Sequence, residues 1–426
     1  MFPRKHNYSI SRGEKIKSIN PQSTQQTVDK KALIFGLTSV LLYGIGFGLT
    51  LPVVPFLVQP YVSSPGNQAM AVALLTFVYA VCVLLAAPGL GALSDRYGRR
   101  PVLIICLLGS AAGYLIFGIG GALWVLFLGR IIDGLTGGNI STILAYFADI
   151  TPKEQRTKYF GWAGAASGIG FIIGPTLGGL LAKFGYSTPM YFGVIITLLN
   201  VVYGAIYMPE SLSKDHRLAR ISIVRLNPFT QLASVFSIKN LKWIFMAIFL
   251  LGVPSGSLQT FFSQFAKDTF KWEPVTIGIL FSILGAMDII SQSLIMPKLL
   301  MKLKVARIAV LGMAAEIIAY GFIAASGIFS YFPFFIVGTI IFGFGDAIFN
   351  PAVNGIASNA VSSEEQGRIQ GGSQSIQALT RIIGPILGGV LYVSLGHFAP
   401  AIMGMILVAV AIAAMHKGTH VQFQVQ

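Results

Sequence analysis

Apolar residues fall into twelve long runs along the chain. Six lie near 32–58, 69–93, 101–119, 122–148, 158–182 and 187–208, and six near 241–265, 275–296, 306–327, 331–357, 367–392 and 398–416. Charges or turn residues bound each run, and each is long enough to cross a bilayer as a helix, which takes ~20 apolar residues. A polar stretch over 209–240, holding Pro209 and Pro228, divides the two sets. The pattern predicts an all-α polytopic membrane protein with twelve transmembrane helices in two six-helix bundles. Its parts are a basic tail over 1–31, a first bundle over 32–208, a linker over 209–240, a second bundle over 241–416 and a tail over 417–426.

Charge sharpens this picture. Charged residues make up 11% of the 426 residues and hydrophobic ones 54%, too few polar groups to cover a water-facing surface. The net charge of +15 would suit a nucleic-acid partner only if it clustered on a soluble face. Instead it follows the loops. When connections are assigned alternately to the two sides, twenty-five of the 30 basic residues fall on the side of the termini. Three (Lys183, Lys267, Lys271) fall on the other, and Arg130 and Arg381 lie within spans. The positive-inside rule then predicts both termini in the cytoplasm of a cell with an inner membrane, and a bilayer rather than nucleic acid as the partner. No short apolar segment with a cleavage site follows the polar first 31 residues, so a cleaved leader is not expected. Cys82 and Cys106 sit in apolar runs, without disulfide or metal spacing.

A repeat joins the two sets. Gly174-Pro175-Thr176-Leu177-Gly178-Gly179 in the fifth run recurs as Gly384-Pro385-Ile386-Leu387-Gly388-Gly389 in the eleventh, and Glu154 and Gly161 recur as Glu364 and Gly371. The same motif at the same rank in each half is what a duplicated bundle predicts. Gly44, Gly46 and Gly48 follow no strand and lie within a span, so they do not form a nucleotide loop.

Three motifs carry more specific information. Between the second and third runs stand Gly91, Asp95, Arg96, Gly98, Arg99 and Arg100; the fourth holds Arg130 and Gly134; the fifth holds Gly170, Gly174, Pro175, Gly178 and Gly179. On these motifs the chain, over about residues 32–416, resembles the major facilitator superfamily. It is most similar to the drug:proton antiporters of the tetracycline-resistance type. The resemblance implies a conformational latch between the halves built on Asp95, Arg99 and Asp149, with the start of the eleventh span, near Gly367, as its partner. It also implies an antiporter role for the glycine-rich fifth span. Tetracycline exporters of this type carry acids in spans one and three where this chain has Tyr43 and Gly113, so the proton route is expected to differ.

Charges inside spans are functional candidates because burying one in a bilayer is costly. Here they are Arg130, Asp133, Asp288, Glu316, Asp346 and Arg381, two cations against four acids. Arg130 and Asp133, three residues apart, share a helix face; Arg381 is expected to pair with Asp288 or Asp346. The resemblance implies a carboxylate at the place of Glu316. Spans one, four, seven and ten offer Tyr43, Phe47, Asn139, Gln259, Phe261, Phe344 and Asn350 as cavity-lining candidates, a set rich in aromatics that suits an amphipathic or cationic ligand. The expected function is proton-coupled export of amphipathic small molecules or drugs by alternating access, by a protein working as a monomer. Proton-coupled import of a sugar or metabolite, or lipid handling, is the alternative. No nucleophile–base constellation, phosphate loop or metal cluster is visible, so neither an enzyme nor a cofactor or metal is expected.

Overall fold

The computed structural model describes residues 30–138, 140–152, 155–218, 241–359 and 366–423. The long helices of the first half are α1 (Lys30–Thr50), α2 (Pro65–Tyr97), α3 (Arg99–Ile119), α4 (Leu123–Gly137, then Ile140–Ile150), α5 (Arg156–Leu181) and α6 (Thr188–Tyr207). Those of the second are α7 (Lys242–Phe270), α8 (Pro274–Ile290), α9 (Val305–Phe329), α10 (Phe332–Asn359), α11 (Gln366–Leu395) and α12 (Ala399–Phe423). Among the described residues, 11 helices are long and apolar enough to cross a membrane. The remaining segment is α4, whose two pieces of 15 and 11 residues are each too short to span alone but together are long enough. α8 continues through a π-helical turn at Ser291–Ile295 into Met296–Lys302, just before Pro297 takes its place in the helix.

Within a bilayer, apolar contact supplies little drive for helix association, and close packing through small residues replaces it. α1 and α5 approach through Gly44, Gly48, Gly170, Gly174 and Gly178. A Cβ on Gly174 would stand 2.7 Å from the Ile45 carbonyl oxygen and 2.9 Å from the Gly48 Cα. The second half repeats the crossing between α7 and α11. A Cβ on Gly384 would stand 2.5 Å from the Val253 carbonyl oxygen and 2.9 Å from the Ser257 nitrogen. The sequence repeat is thus the same helix crossing built twice.

The halves meet mainly at the end away from the chain termini, here the far end. α5 packs on α8 there: Gly179 lies against Pro274 and Val275, Gly278 against Pro175, and the Ser282 hydroxyl donates to the Ile172 carbonyl at 2.5 Å and also meets the Thr176 hydroxyl. α2 packs on α11, with Gly389 against Ala73. The end of α7 is tied across by Ser263, whose hydroxyl donates to the Leu51 carbonyl at 2.6 Å, and by Lys267, whose ammonium donates to Gln68 at 3.0 Å. Gln68, 4% exposed, in turn donates to the Pro55 carbonyl. Toward the terminal end the halves part: Gly161, Gly164 and Gly168 of α5 and Gly89 and Gly91 of α2 have no described atom within 4 Å of where a Cβ would be. Among the described residues, the far end is closed and the terminal end open.

Candidate functional site

Inside the first half, α1, α2, α3, α4 and α6 line a cavity that in this state has room for about two water molecules. Tyr43, Phe47, Tyr79 and Tyr114 give it aromatic walls; Ser39, Ser110, Thr197 and Asn200 give it hydroxyls and an amide. Ser39 and Asn200 form a buried pair, the amide donating to the hydroxyl at 3.1 Å. Two charges lie in the wall. Arg130 reaches Asp133 at 3.7 Å, a loose ion pair with side chains 11% and 8% exposed. The guanidinium lies over the Phe117 ring at 4.5 Å and the Tyr79 ring at 5.5 Å, so cation–π attraction holds it as well as the carboxylate does. Removing charge from Asp133 would therefore leave Arg130 a second seat.

Gly113 explains how Asp133 fits. A Cβ there would stand 2.7 Å from the Asp133 Cβ and 2.9 Å from its nitrogen, so α3 touches the α4 backbone at this point. An acid is implied by resemblance at position 113; here a carboxyl stands beside that position all the same, supplied by α4. Tyr43, the other such position, lines the same cavity as Tyr79 and lies in the fields of Asp133 and of Arg381 from the opposite half.

The second half holds the other acids. Asp346 of α10 accepts from Asn350 at 3.0 Å and interacts electrostatically with Asp288 of α8 and Arg381 of α11. Asp288 accepts from Gln292 at 2.9 Å. Among the described residues no ion pair within 4 Å joins Arg381 to either acid, so the pairing expected from the sequence is a shared field rather than a contact. The reason is exposure: Arg381 faces open space, where solvation competes with a partner. Glu316 is 0% exposed in α9, packed against Gly345, and neither carboxyl oxygen has a hydrogen-bond partner.

The remaining cavity candidates scatter. Tyr43 and Phe47 line the first-half cavity, and Phe47 meets Phe171 edge-on at 5.5 Å. Asn350 serves Asp346. Phe344 packs partly buried against the second-half core and Gln259 is exposed. Phe261 points into its own bundle, stacked on Tyr392 at 5.1 Å and 3% exposed, so it does not share a cavity with Tyr43. Asn139 lies outside the described residues, as do Glu154 and Glu364.

At the terminal end the signature loop forms one charge cluster. Arg99 bonds Asp95 at 2.5 Å, Asp149 at 3.1 Å and the Ser94 hydroxyl at 2.6 Å. The sequence alone did not point to Glu210. Its carboxylate accepts from the backbone N–H of Arg99 at 2.8 Å and of Arg100 at 3.3 Å, capping α3 where the helix dipole favours an anion. Arg217 pairs with it at 3.6 Å. Gly98 makes room for this carboxylate and has φ +107°, where other residues are strained. Arg100 donates to the Ala205 carbonyl at 2.5 Å, while Arg96 lies over Tyr97 at 5.3 Å. The start of the linker is thereby folded onto the loop. The turn of α11 near Gly367 has side chains outside the described residues, so its part in the expected latch stays an expectation.

Comparison with known proteins agrees with these motifs. The family model of the Major Facilitator Superfamily matches residues 36–371 and again 293–418. The chain is 32% identical to the tetracycline resistance protein, class C, of Escherichia coli, over 91% of this chain and 97% of that one. It is 30% identical to multidrug resistance protein 2 of Bacillus subtilis (strain 168), over 92% of this chain and 94% of that one. The solved structure of the nucleoside transporter NupG shares the fold, with a TM-score of 0.72 at 16% identity over 92% of this chain and 99% of that one.

Proposed function

The chain belongs to the Major Facilitator Superfamily, and from that membership we propose that it exports amphipathic small molecules, tetracycline-like compounds among them, in exchange for protons. The carrying observation is the loose Arg130–Asp133 pair, buried in an aromatic cavity with polar groups around it. Aromatic walls with a few polar groups suit a flat, partly polar ligand once the surrounding side chains part to admit it. A buried carboxylate beside a cation that has an alternative aromatic seat can exchange one proton with little rearrangement, which is what coupling needs. Asp288, Glu316 and Asp346 stand as further proton-carrying groups in the second half.

The charge asymmetry of the loops supports a bacterial cell membrane with both termini in the cytoplasm. On that reading the open terminal end is the cytoplasmic one and the structure is inward-facing. Asp95, Arg99 and Asp149 then act as the cytoplasmic latch that engages when this end closes. The basic tail over 1–31 and the linker over 209–240 lie on the same side. On this reading the chain works as a monomer, with the cavity and its charges lying within one chain.

The test is accumulation of tetracycline and of ethidium in cells that overproduce the protein. Export predicts lower accumulation, restored when the proton gradient is collapsed. Accumulation that rises with overproduction would instead support uptake, and lowering that survives collapse of the gradient would rule out proton coupling.

A further inference from the structure

The second half contains a cavity unconnected to the aromatic one in the first. It lies in the far third of the bundle among α7, α9, α11 and α12, lined by Phe261, Tyr320, Tyr392, His397 and Ala401, among others, with room for about one or two water molecules. Its ends differ in chemistry. At the far face, His397 stacks on Tyr392 at 4.8 Å, and its Nδ1 meets the Thr269 hydroxyl at 3.3 Å. Tyr392 donates to Asp268 at 2.8 Å, and Gln264 donates to the same carboxylate oxygen at 2.8 Å. At the inner end stands Tyr320, 1% exposed, with a hydroxyl that has no partner. One helical turn deeper on the same face of α9 is Glu316, also without partners.

Two orphaned polar groups in succession, fully buried, are costly unless something serves them. We propose that this cavity is a proton-entry path, from His397 and Asp268 at the outer face through Tyr320 to Glu316, separate from the substrate cavity. The proposal rests on the reading of Glu316 as a proton-carrying group and of the far end as the outer one. A hydroxyl both donates and accepts. Once a water or a turn of the Glu316 side chain closes the gap between these two unpartnered groups, Tyr320 accepts a proton from the cavity side and passes its own hydrogen toward a Glu316 oxygen. The net change is one proton moved from outer water to that carboxylate, with no electron transferred. Beyond Glu316 the acid on α10 is Asp346, with Asp288 of α8 and Arg381 of α11 acting on it. The Gly345 backbone stands between, so hand-over from Glu316 to Asp346 is the step at which entry is gated. Around the mouth the other charges are Lys267 and Lys271 at the end of α7. The path lets a proton enter while the central route is closed on the outer side, as it is here.

The test follows the Glu316 carboxyl band by infrared difference spectroscopy on full-length protein in oriented proteoliposomes, with Glu316→Gln assigning the band. A step in outer pH should change the band. Tyr320→Phe, which removes only an unpaired hydroxyl and so leaves folding intact, should slow the response about tenfold or more. Ala401→Leu, which fills the cavity, should slow it likewise. A band that responds to outer pH equally fast in all three proteins overturns the path but leaves Glu316 as a proton carrier. So does a band that responds only to inner pH. A band that never responds removes Glu316 from proton traffic and the proposal with it.

Discussion

The crossing of α1 and α5 offers an internally controlled test of the packing. Gly174 and Gly164 lie ten residues and about 80° apart around α5, in opposite surroundings. A methyl added at Gly174 would meet backbone atoms at 2.7 and 2.9 Å, so the two helices would have to separate. At Gly164 it would meet no described atom within 4 Å. The gain in helix propensity is common to Gly174→Ala and Gly164→Ala and cancels between them. What remains is the overpacking cost, ~1–3 kcal/mol, or roughly 5- to 150-fold in the unfolding equilibrium. Reversible unfolding of the purified protein by sodium dodecyl sulfate in mixed micelles, followed by tryptophan fluorescence, measures the difference. Gly164→Ala should match or exceed the parent in stability and Gly174→Ala should fall below it. Equal destabilisation by both would refute the reasoning, because it would mean that contact with α1 does not distinguish the two positions.

Other consequences concern the two ends. Glu210→Ala removes two acceptors from the start of α3 and should cost ~1–3 kcal/mol in the same unfolding assay; an unchanged curve would mean the cap contributes nothing. Lys267→Met breaks the tie to Gln68 and should open the far end more often. Labelling of a cysteine at Ala73, which is 0% exposed, by a membrane-impermeant maleimide should then quicken about tenfold. An unaltered labelling rate would remove Lys267 from the closure of that end.

How much of this was legible in the sequence depends on the range over which each feature is encoded. Span length and loop charge are local, so the helices and their grouping were read directly. The glycine-proline motif recurs at a fixed offset, which exposed the duplication, and its glycines proved to be the points of helix contact. Features assembled across the chain were not legible. Ser39 and Asn200 are 161 positions apart, and Glu210 reaches Arg99 over 111, with no periodic signal joining either pair. Nothing in the sequence singles out Tyr79 and Tyr114 among the aromatics of the apolar runs, and only the fold brings them to the cavity that holds Asp133. Phe261 shows the converse: its position on a cavity-lining helix suggested the centre, but the face on which it sits points into its own half. The π-turn of α8 interrupts a helix whose hydropathy is continuous, so the apolar pattern passed over it.

Among the charges, Asp133 bears most on how the chain works, because it combines burial, a cation with a second seat and a place in the aromatic cavity. The decisive measurement is transport by Asp133→Asn in everted membrane vesicles, with tetracycline and ethidium each followed in two modes. One mode is uptake driven by a proton gradient; the other is exchange across the vesicle membrane with no gradient. Asparagine keeps the shape of the side chain but cannot take up or release the proton, so driven uptake should be lost while exchange continues. Driven uptake at the parental rate by Asp133→Asn would contradict the account.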